Sequence, residues 1–276
     1  MKQESSSEGT VHLFNDGAAY ERFMGRWSRA AGEVFLDWMS PRLGEHWLDV
    51  GCGAGSFTAL ILEKCSPASV RAVDPEPAQI SHARHRLAGQ AVHFHLAGAQ
   101  ALPFDDAVFD IVTSGLVLNF VPEPLKGIAE MVRVARPGGV VSGYVWEFAS
   151  DLSPTWPLRG GLRQLGIPVP SVPGSECTTP AFLRHLFERA GLEKIAIRSI
   201  NVAIQYDTFD EFWISQTPAF HPMTKTIETL TREQQSRLKE DVRSRISCSD
   251  GRVEYLSRAS GCFGVKSQKV AIRSSR

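Results

Sequence analysis

The sequence predicts an α/β protein: a mostly parallel, doubly wound sheet of seven strands, with one helix ahead of the sheet and a helical lid or insertion in the C-terminal half. Three observations predict it. Short apolar runs alternate with amphipathic stretches between residues 47 and 146, which is the pattern of βαβ units whose helices cover both sheet faces. Three glycines, Gly51, Gly53 and Gly55, crowd the end of the first apolar run, where a strand must turn into a helix. Prolines at 154, 157, 168, 170, 173 and 180 then break the rhythm and mark an insertion rather than more sheet.

Taken in order, residues 1–16 read as a flexible leader. From Gly17 to Met39 the residues Phe23, Trp27, Ala31, Val34, Phe35 and Trp38 recur at spacings of three and four, a helical stripe that Pro41 and Gly44 end. Strands follow at 47–51, 70–74, 92–96, 109–114 and 140–146. Helices lie between them at 56–64, 77–87 and 122–136, and Arg136-Pro137-Gly138-Gly139 is expected to stop the last. Beyond the insertion, Thr179–Ala190 carries Leu183, Leu186 and Phe187 on one face and Gly191 as its stop. Two more strands are expected at 194–204 and 252–266. Between them lie a short helix at 209–215, a loop through Pro218 and Pro222, and a helix opened by Thr231-Arg232-Glu233-Gln234. The boundaries are therefore 17–147 for a ligand-binding core with its N-terminal helix and 148–276 for the remainder of the same fold.

Composition excludes several classes. Thirty Lys and Arg balance thirty Asp and Glu, which argues against a nucleic-acid partner held by charge; only the tail from 231 is locally basic. Five cysteines at 52, 65, 177, 248 and 262, none in a CxxC spacing, form neither a disulfide framework nor a zinc site and fit a reducing cytoplasm. No uninterrupted apolar run is long enough to span a membrane, and the first residues lack the apolar core of a signal peptide. The pairs His82/His85 and His93/His95 have no carboxylate or cysteine beside them, so no metal is expected.

The chemistry concentrates in Leu48-Asp49-Val50-Gly51-Cys52-Gly53-Ala54-Gly55-Ser56. Such a turn lets backbone approach a ligand, and nicotinamide, flavin and sulfonium cofactors all use one. Charge and register separate them. A dinucleotide fingerprint places its third glycine three residues after the second, where this chain has Ser56. Asp49, two residues before the first glycine, would repel a diphosphate and suits a cationic group. Asp74 ends the second strand 23 residues after Gly51, where a carboxylate can accept from both hydroxyls of a ribose. The two acids together, with no Arg or Lys in the loop, favour an adenosine bearing a cationic amino acid.

Leu48–Phe57 resembles the first motif of class I S-adenosylmethionine-dependent methyltransferases. Val73-Asp74-Pro75, Ala101-Leu102-Pro103-Phe104-Asp105, Phe109-Asp110 and Val134–Gly139 resemble the following motifs in their usual order. The nearest group is the methyltransferase type 11 family, which includes ubiquinone/menaquinone-type enzymes. The likeness covers residues 45–147, with a looser one through Tyr20–Trp27. It implies a Rossmann-like fold, S-adenosylmethionine as cofactor and S-adenosylhomocysteine as product. By the family pattern Asp49, Gly51, Cys52 and Gly53 would line the methionine moiety, Asp74 and Pro75 the ribose side, Ala99 and Gln100 the adenine, and Leu116 the methionine or ribose. Tyr20, Arg26 and Trp27 of the leader helix would close over the cofactor. One departure stands out: relatives carry Gly-Asp-Ala where this chain reads Ala97-Gly98-Ala99, so the carboxylate facing the adenine amino group is missing and Gln100 or backbone groups would stand in.

A sulfonium already carries a reactive methyl and a neutral leaving group, so such a site mainly aligns the nucleophile and excludes water. No catalytic motif is required and none is visible. Candidates for the active-site wall are Tyr20, Asn119, Tyr144 and Trp146, with His221 a candidate base. The aromatic residues of leader and lid suggest a small, partly apolar methyl acceptor. An NAD-dependent oxidoreductase and a non-catalytic S-adenosylmethionine-binding protein stay open as alternatives.

Overall fold

The structure, a computed structural model, describes residues 17–268, apart from the side chains of residues 17–22, 248 and 249. The expected leader, 1–16, lies outside the described residues. Helix α1 (Gly17–Met39) precedes the alternating core: β1 (His46–Val50), α2 (Ser56–Cys65), β2 (Ser69–Asp74), α3 (Pro77–Arg86), β3 (Val92–Leu96), β4 (Phe109–Gly115), α4 (Pro124–Val134) and β5 (Ala135–Trp146). Then come α5 (Trp156–Gln164), α6 (Pro180–Arg189), β6 (Leu192–Tyr206), α7 (Phe209–Gln216), α8 (Pro222–Glu228), α9 (Arg232–Arg245), β7 (Ser247–Ser249) and β8 (Arg252–Lys266). The sheet runs β3-β2-β1-β4-β5-β8-β6, and β7 pairs only with β8. Strands β1 to β5 are parallel, while β8 lies antiparallel between β5 and β6. Seven strands thus form the expected path, and β7 is a short addition.

Period-two alternation decides which face each residue serves. Trp47 packs with α1 and α2 in a cluster holding Trp27, Phe35, Phe57 and Tyr144. Its neighbour Leu48 points the other way, into a cluster with Val112, Ile128, Met131 and Phe187 from β4, α4 and α6. Both faces are covered, as a parallel sheet demands.

Two local expectations are corrected. Arg136–Gly139 does not stop α4 but lies inside β5. The pairing jumps from Phe109 opposite Ala135 to Ile111 opposite Val140, so these residues form a bulge. Gly139 allows it, because a Cβ there would stand 2.9 Å from the carbonyl oxygens of both Arg136 and Asp110. The loop expected through Pro222 is helix α8, whereas the helical insertion contains α5 as expected. In both, as in α3, α4 and α6, proline occupies the first turn, where its missing N–H costs nothing. Gly161 lets α5 cross α9 closely, since a Cβ would meet Leu238 at 2.7 Å.

The two fifteen-residue strands matter for the site. Trp146, the end of β5, pairs with Ala259, so residues 252–258 of β8 continue past the carboxyl ends of the parallel strands, where β6 and β7 are the strands that pair with them among the described residues. This overhanging ribbon carries the cap: Tyr206 and Tyr255 pack on Phe212 of α7, and Tyr255 Oη donates to the Pro154 carbonyl at 2.8 Å. No helix among the described residues is long and apolar enough to cross a membrane.

Candidate functional site: a glycine loop beside an apolar cleft

The glycine loop follows β1. Gly51 and Cys52 donate from their backbone N–H groups to the Val73 carbonyl at 2.8 and 2.9 Å, tying the turn to β2. Gly51 (φ +77°) and Gly53 (φ +52°) are both left-handed, and they are needed for different reasons. A Cβ on Gly51 would stand 2.5 Å from a Val117 methyl, so the loop after β4 approaches closely only because Gly51 has no side chain. At Gly53 the nearest atom to such a Cβ, Oε1 of Gln79, is 3.9 Å away, so the space over this residue is open.

Two carboxylates sit under and beside the turn. Asp49 is fully buried; its Oδ2 accepts from Thr58 Oγ1 at 2.7 Å, and its Oδ1 has no partner. Burial, with a smaller push from the Asp74 charge, raises its pKa from 3.8 to about 7. Asp74 Oδ2 accepts from the Gly53 N–H and Oδ1 from the Glu76 N–H, both at 2.9 Å, so this side chain clamps the loop to the start of α3; burial pushes its pKa up as well. Cys52, buried near both acids, has its thiol held well above the ordinary range by burial and by their charge, which leaves it unreactive.

The far wall begins at Leu116. This residue is left-handed (φ +63°), strain of about 1–3 kcal/mol for a bulky side chain, held by its N–H donating to the Tyr144 carbonyl at 2.7 Å. Leu116 lines an apolar cleft with Phe23 and Met24 of α1 and Trp146 at the end of β5. The insertion (Pro170–Pro173) and residues 220–223 at the start of α8 complete it. Ligand clefts beyond the carboxyl ends of the strands are where an open α/β sheet offers space.

Comparison with known proteins now decides the family. The model of a methyltransferase domain matches residues 48–142. Malonyl-[acyl-carrier protein] O-methyltransferase of Serratia marcescens is 33% identical over 175 residues, which cover 60% of this chain and 67% of that protein. The chain belongs to the type 11 family of class I S-adenosylmethionine-dependent methyltransferases. Demethylmenaquinone methyltransferase of Clavibacter sepedonicus is 39% identical over 117 residues, 42% of this chain and less than half, 46%, of that enzyme. The fold is shared with Haemonchus contortus phosphoethanolamine N-methyltransferase 2 in complex with S-adenosyl-L-methionine, at a TM-score of 0.57 and 16% identity over 97% of this chain and 62% of that one.

The methyltransferase uses S-adenosylmethionine, and its residues fit that group. An unpartnered, buried carboxylate oxygen on Asp49 is otherwise unexplained in a folded protein, and a cationic ligand would satisfy it. The open side of Gly53 leaves the backbone accessible to it.

The structure brings some of the candidate residues to the cleft and removes others. Leu116, Trp146 and His221 line it. Trp27 does not: it is fully buried, donates from Nε1 to Tyr206 Oη at 3.1 Å and packs on Tyr255 at 4.8 Å, so it belongs to the core. Arg26 turns outward, donating to the Gln205 carbonyl at 2.8 Å and pairing with Glu211 at 3.5 Å, away from the glycine loop. Tyr144 is buried between Phe35 (4.8 Å) and Phe57 (5.2 Å). Asn119 spends its amide donor on the Pro173 carbonyl (3.1 Å), so it holds the insertion down rather than facing substrate as a catalyst. The side chain of Tyr20 lies outside the described residues. Pro75 is exposed at the turn into α3.

His221 corrects the expectation of a base. Its Nδ1 accepts from the Met223 N–H at 3.2 Å as the cap of α8, so the neutral ring carries its proton on Nε2 and is a donor there. Burial and the nearby Arg159 charge lower its pKa to about 4. Arg159 itself was missed. It enters the cleft from α5, and its only signal in the sequence is the arginine pair Arg159 and Arg163, one turn apart and near Asp151.

Gln100, expected to flank the adenine, donates from Nε2 to Glu123 Oε1 at 2.8 Å, which leaves its carbonyl oxygen to offer. A Cβ on Gly98 would meet nothing within 4 Å. Gly98→Asp is therefore accommodated without a clash and is expected to tighten S-adenosylmethionine about tenfold, one charge-assisted hydrogen bond's worth. Isothermal titration of the variant checks this, and an unchanged affinity refutes it.

Proposed function

We propose that the enzyme transfers the methyl group to a small, largely apolar molecule bound in the cleft between α1, the ends of β4 and β5, and the cap. The observation that carries this reading is the continuity of the two sites: Leu116 lines the cleft, and the next residue, Val117, touches Gly51. In this reading Asp49, Gly51, Cys52 and Gly53 surround the methionine end, Asp74 takes the ribose hydroxyls, and Ala99 and Gln100 flank the adenine. When bound, S-adenosylmethionine supplies a sulfonium methyl with a neutral thioether leaving group.

The chain's own contribution is alignment and the exclusion of water. Apolar side chains around Leu116 keep the reacting faces dry, and in-line approach at roughly 3 Å supplies most of the acceleration such a site needs. Among the described residues none of the cleft is placed as a general base, which fits acceptors that are already nucleophilic at working pH. The described cysteines are all free thiols, and a reducing cytoplasm suits them.

Release of S-adenosylhomocysteine across a panel of phenols, amines, thiols, quinols and carboxylic acids tests the proposal. Turnover is expected only with acceptors that have an apolar body. Val172→Trp, which fills the cleft from the half-buried insertion, is expected to lower kcat/KM at least about tenfold while leaving S-adenosylmethionine affinity unchanged. Equal turnover in that variant places the acceptor elsewhere.

A further inference from the structure

We propose that the acceptor carries an anionic oxygen group, and that Arg159 with His221 is the device that recognises it. This rests on the reading of the cleft as the acceptor site and adds the class of molecule it takes.

The polar lining is made of donors and hydroxyls. Arg159, His221, Thr155 and Ser171 line the cleft, and no Asp, Glu or Lys does so among the described residues. The Arg159 side chain is only 10% exposed. Its Nε donates to Asp151 at 3.2 Å and its Nη1 to the Pro170 carbonyl at 3.1 Å, while Nη2 has no protein acceptor among the described residues. Asp151 does not cancel this charge, because it is shared with Arg163. Two guanidinium groups against one carboxylate leave a positive excess beside apolar walls, and a buried charge of that kind is costly unless something pairs with it.

One neutral donor lines the cleft with it. His221 presents Nε2–H because Nδ1 is committed to the Met223 N–H, and its lowered pKa keeps the ring uncharged above about pH 5. Guanidinium and imidazole N–H share one requirement: an acceptor oxygen, best satisfied when it is charged. A protonated amine would find no acceptor carboxylate among the lining residues and would meet the Arg159 charge.

The test uses matched probes with the same apolar body: 2-naphthoate against 2-naphthamide, and decanoate against decanamide, titrated into enzyme saturated with S-adenosylhomocysteine. Each acid is expected to bind at least about tenfold tighter than its amide. The preference is expected to vanish in Arg159→Gln, to survive in Arg159→Lys, which keeps the charge, and to survive in Arg163→Gln, which does not line the cleft. Circular dichroism on each variant separates lost recognition from lost folding. Equal binding of acid and amide to the wild-type protein overturns the anion proposal and leaves the cleft reading standing. Binding of neither pair overturns the proposal too, and if Val172→Trp then also turns over normally, the cleft reading falls with it.

Discussion

Asp49→Asn is expected to stabilise the cofactor-free enzyme at pH 8 and to weaken S-adenosylmethionine binding at least about a hundredfold. The two effects come from one buried charge. Asp49 is fully enclosed, one oxygen is satisfied by Thr58 and the other by nothing in the protein. The folded chain keeps its proton up to about pH 7, whereas the unfolded chain loses it near 3.8. Between those values the folded state binds more protons, so this group's contribution to stability falls as pH rises from about 4 to 7 and is flat above. The accumulated penalty is of order 4 kcal/mol. Asn can still accept from Thr58 but carries no charge, so it removes that slope. The unpaired Asn amide offsets part of the gain, and a net rise of about 1–3 kcal/mol remains. A cationic ligand reverses the balance by pairing with the carboxylate, which is what Asn cannot do. Thermal unfolding of wild type and variant from pH 5 to 9, with and without S-adenosylmethionine, reads both effects. Affinity of the wild type should also rise through pH 7 with release of a proton. Unchanged affinity in the variant, with the same pH slope as wild type, would mean that Asp49 serves only the fold.

How far the sequence revealed all this depended on the range over which each feature is decided. The glycine loop, the alternation from β1 to β5 and the capping box at Thr231 are local, since neighbours in sequence set the backbone there; Thr231 and Gln234 exchange both expected hydrogen bonds. Pro222 misled because a breaker and a first-turn residue look alike until the rest of the helix is seen. Tyr144 and Trp146 share a face of β5 and could not be told apart by pattern. Tyr144 pairs with Gly115 and Gly261 inside the sheet, where α1 covers it. Trp146 ends the strand, where the cleft opens. Arg159 was least legible, because its meaning depends on which wall the insertion forms, a tertiary fact with no local signature.

Asp74→Ala carries the other large effect, an expected loss of at least about a thousandfold in S-adenosylmethionine affinity. Each oxygen of Asp74 already accepts one backbone N–H, from Gly53 and from Glu76. A carboxylate oxygen can accept more than one hydrogen bond, so both remain able to take a ribose hydroxyl. Alanine therefore removes the clamp on the loop and the proposed sugar contact together, and hydrogen bonds to a charged group contribute about 1.5–3 kcal/mol each. The two losses separate when the ligand is varied along with the protein. S-adenosylhomocysteine and its 2′-deoxy analogue should differ in wild-type affinity and bind equally weakly to Asp74→Ala, because the variant has no sugar acceptor left to distinguish them. A variant that still prefers the full ribose by the wild-type factor would reduce Asp74 to a loop clamp and move sugar recognition to another residue. Asp74→Asn makes the argument sharper: one amide oxygen can keep a single backbone N–H, the NH2 must face the other, and both the loop geometry and the charge are lost at a site where alanine only leaves space. Asn is therefore expected to bind S-adenosylhomocysteine no better than Ala, although it is the closer isostere.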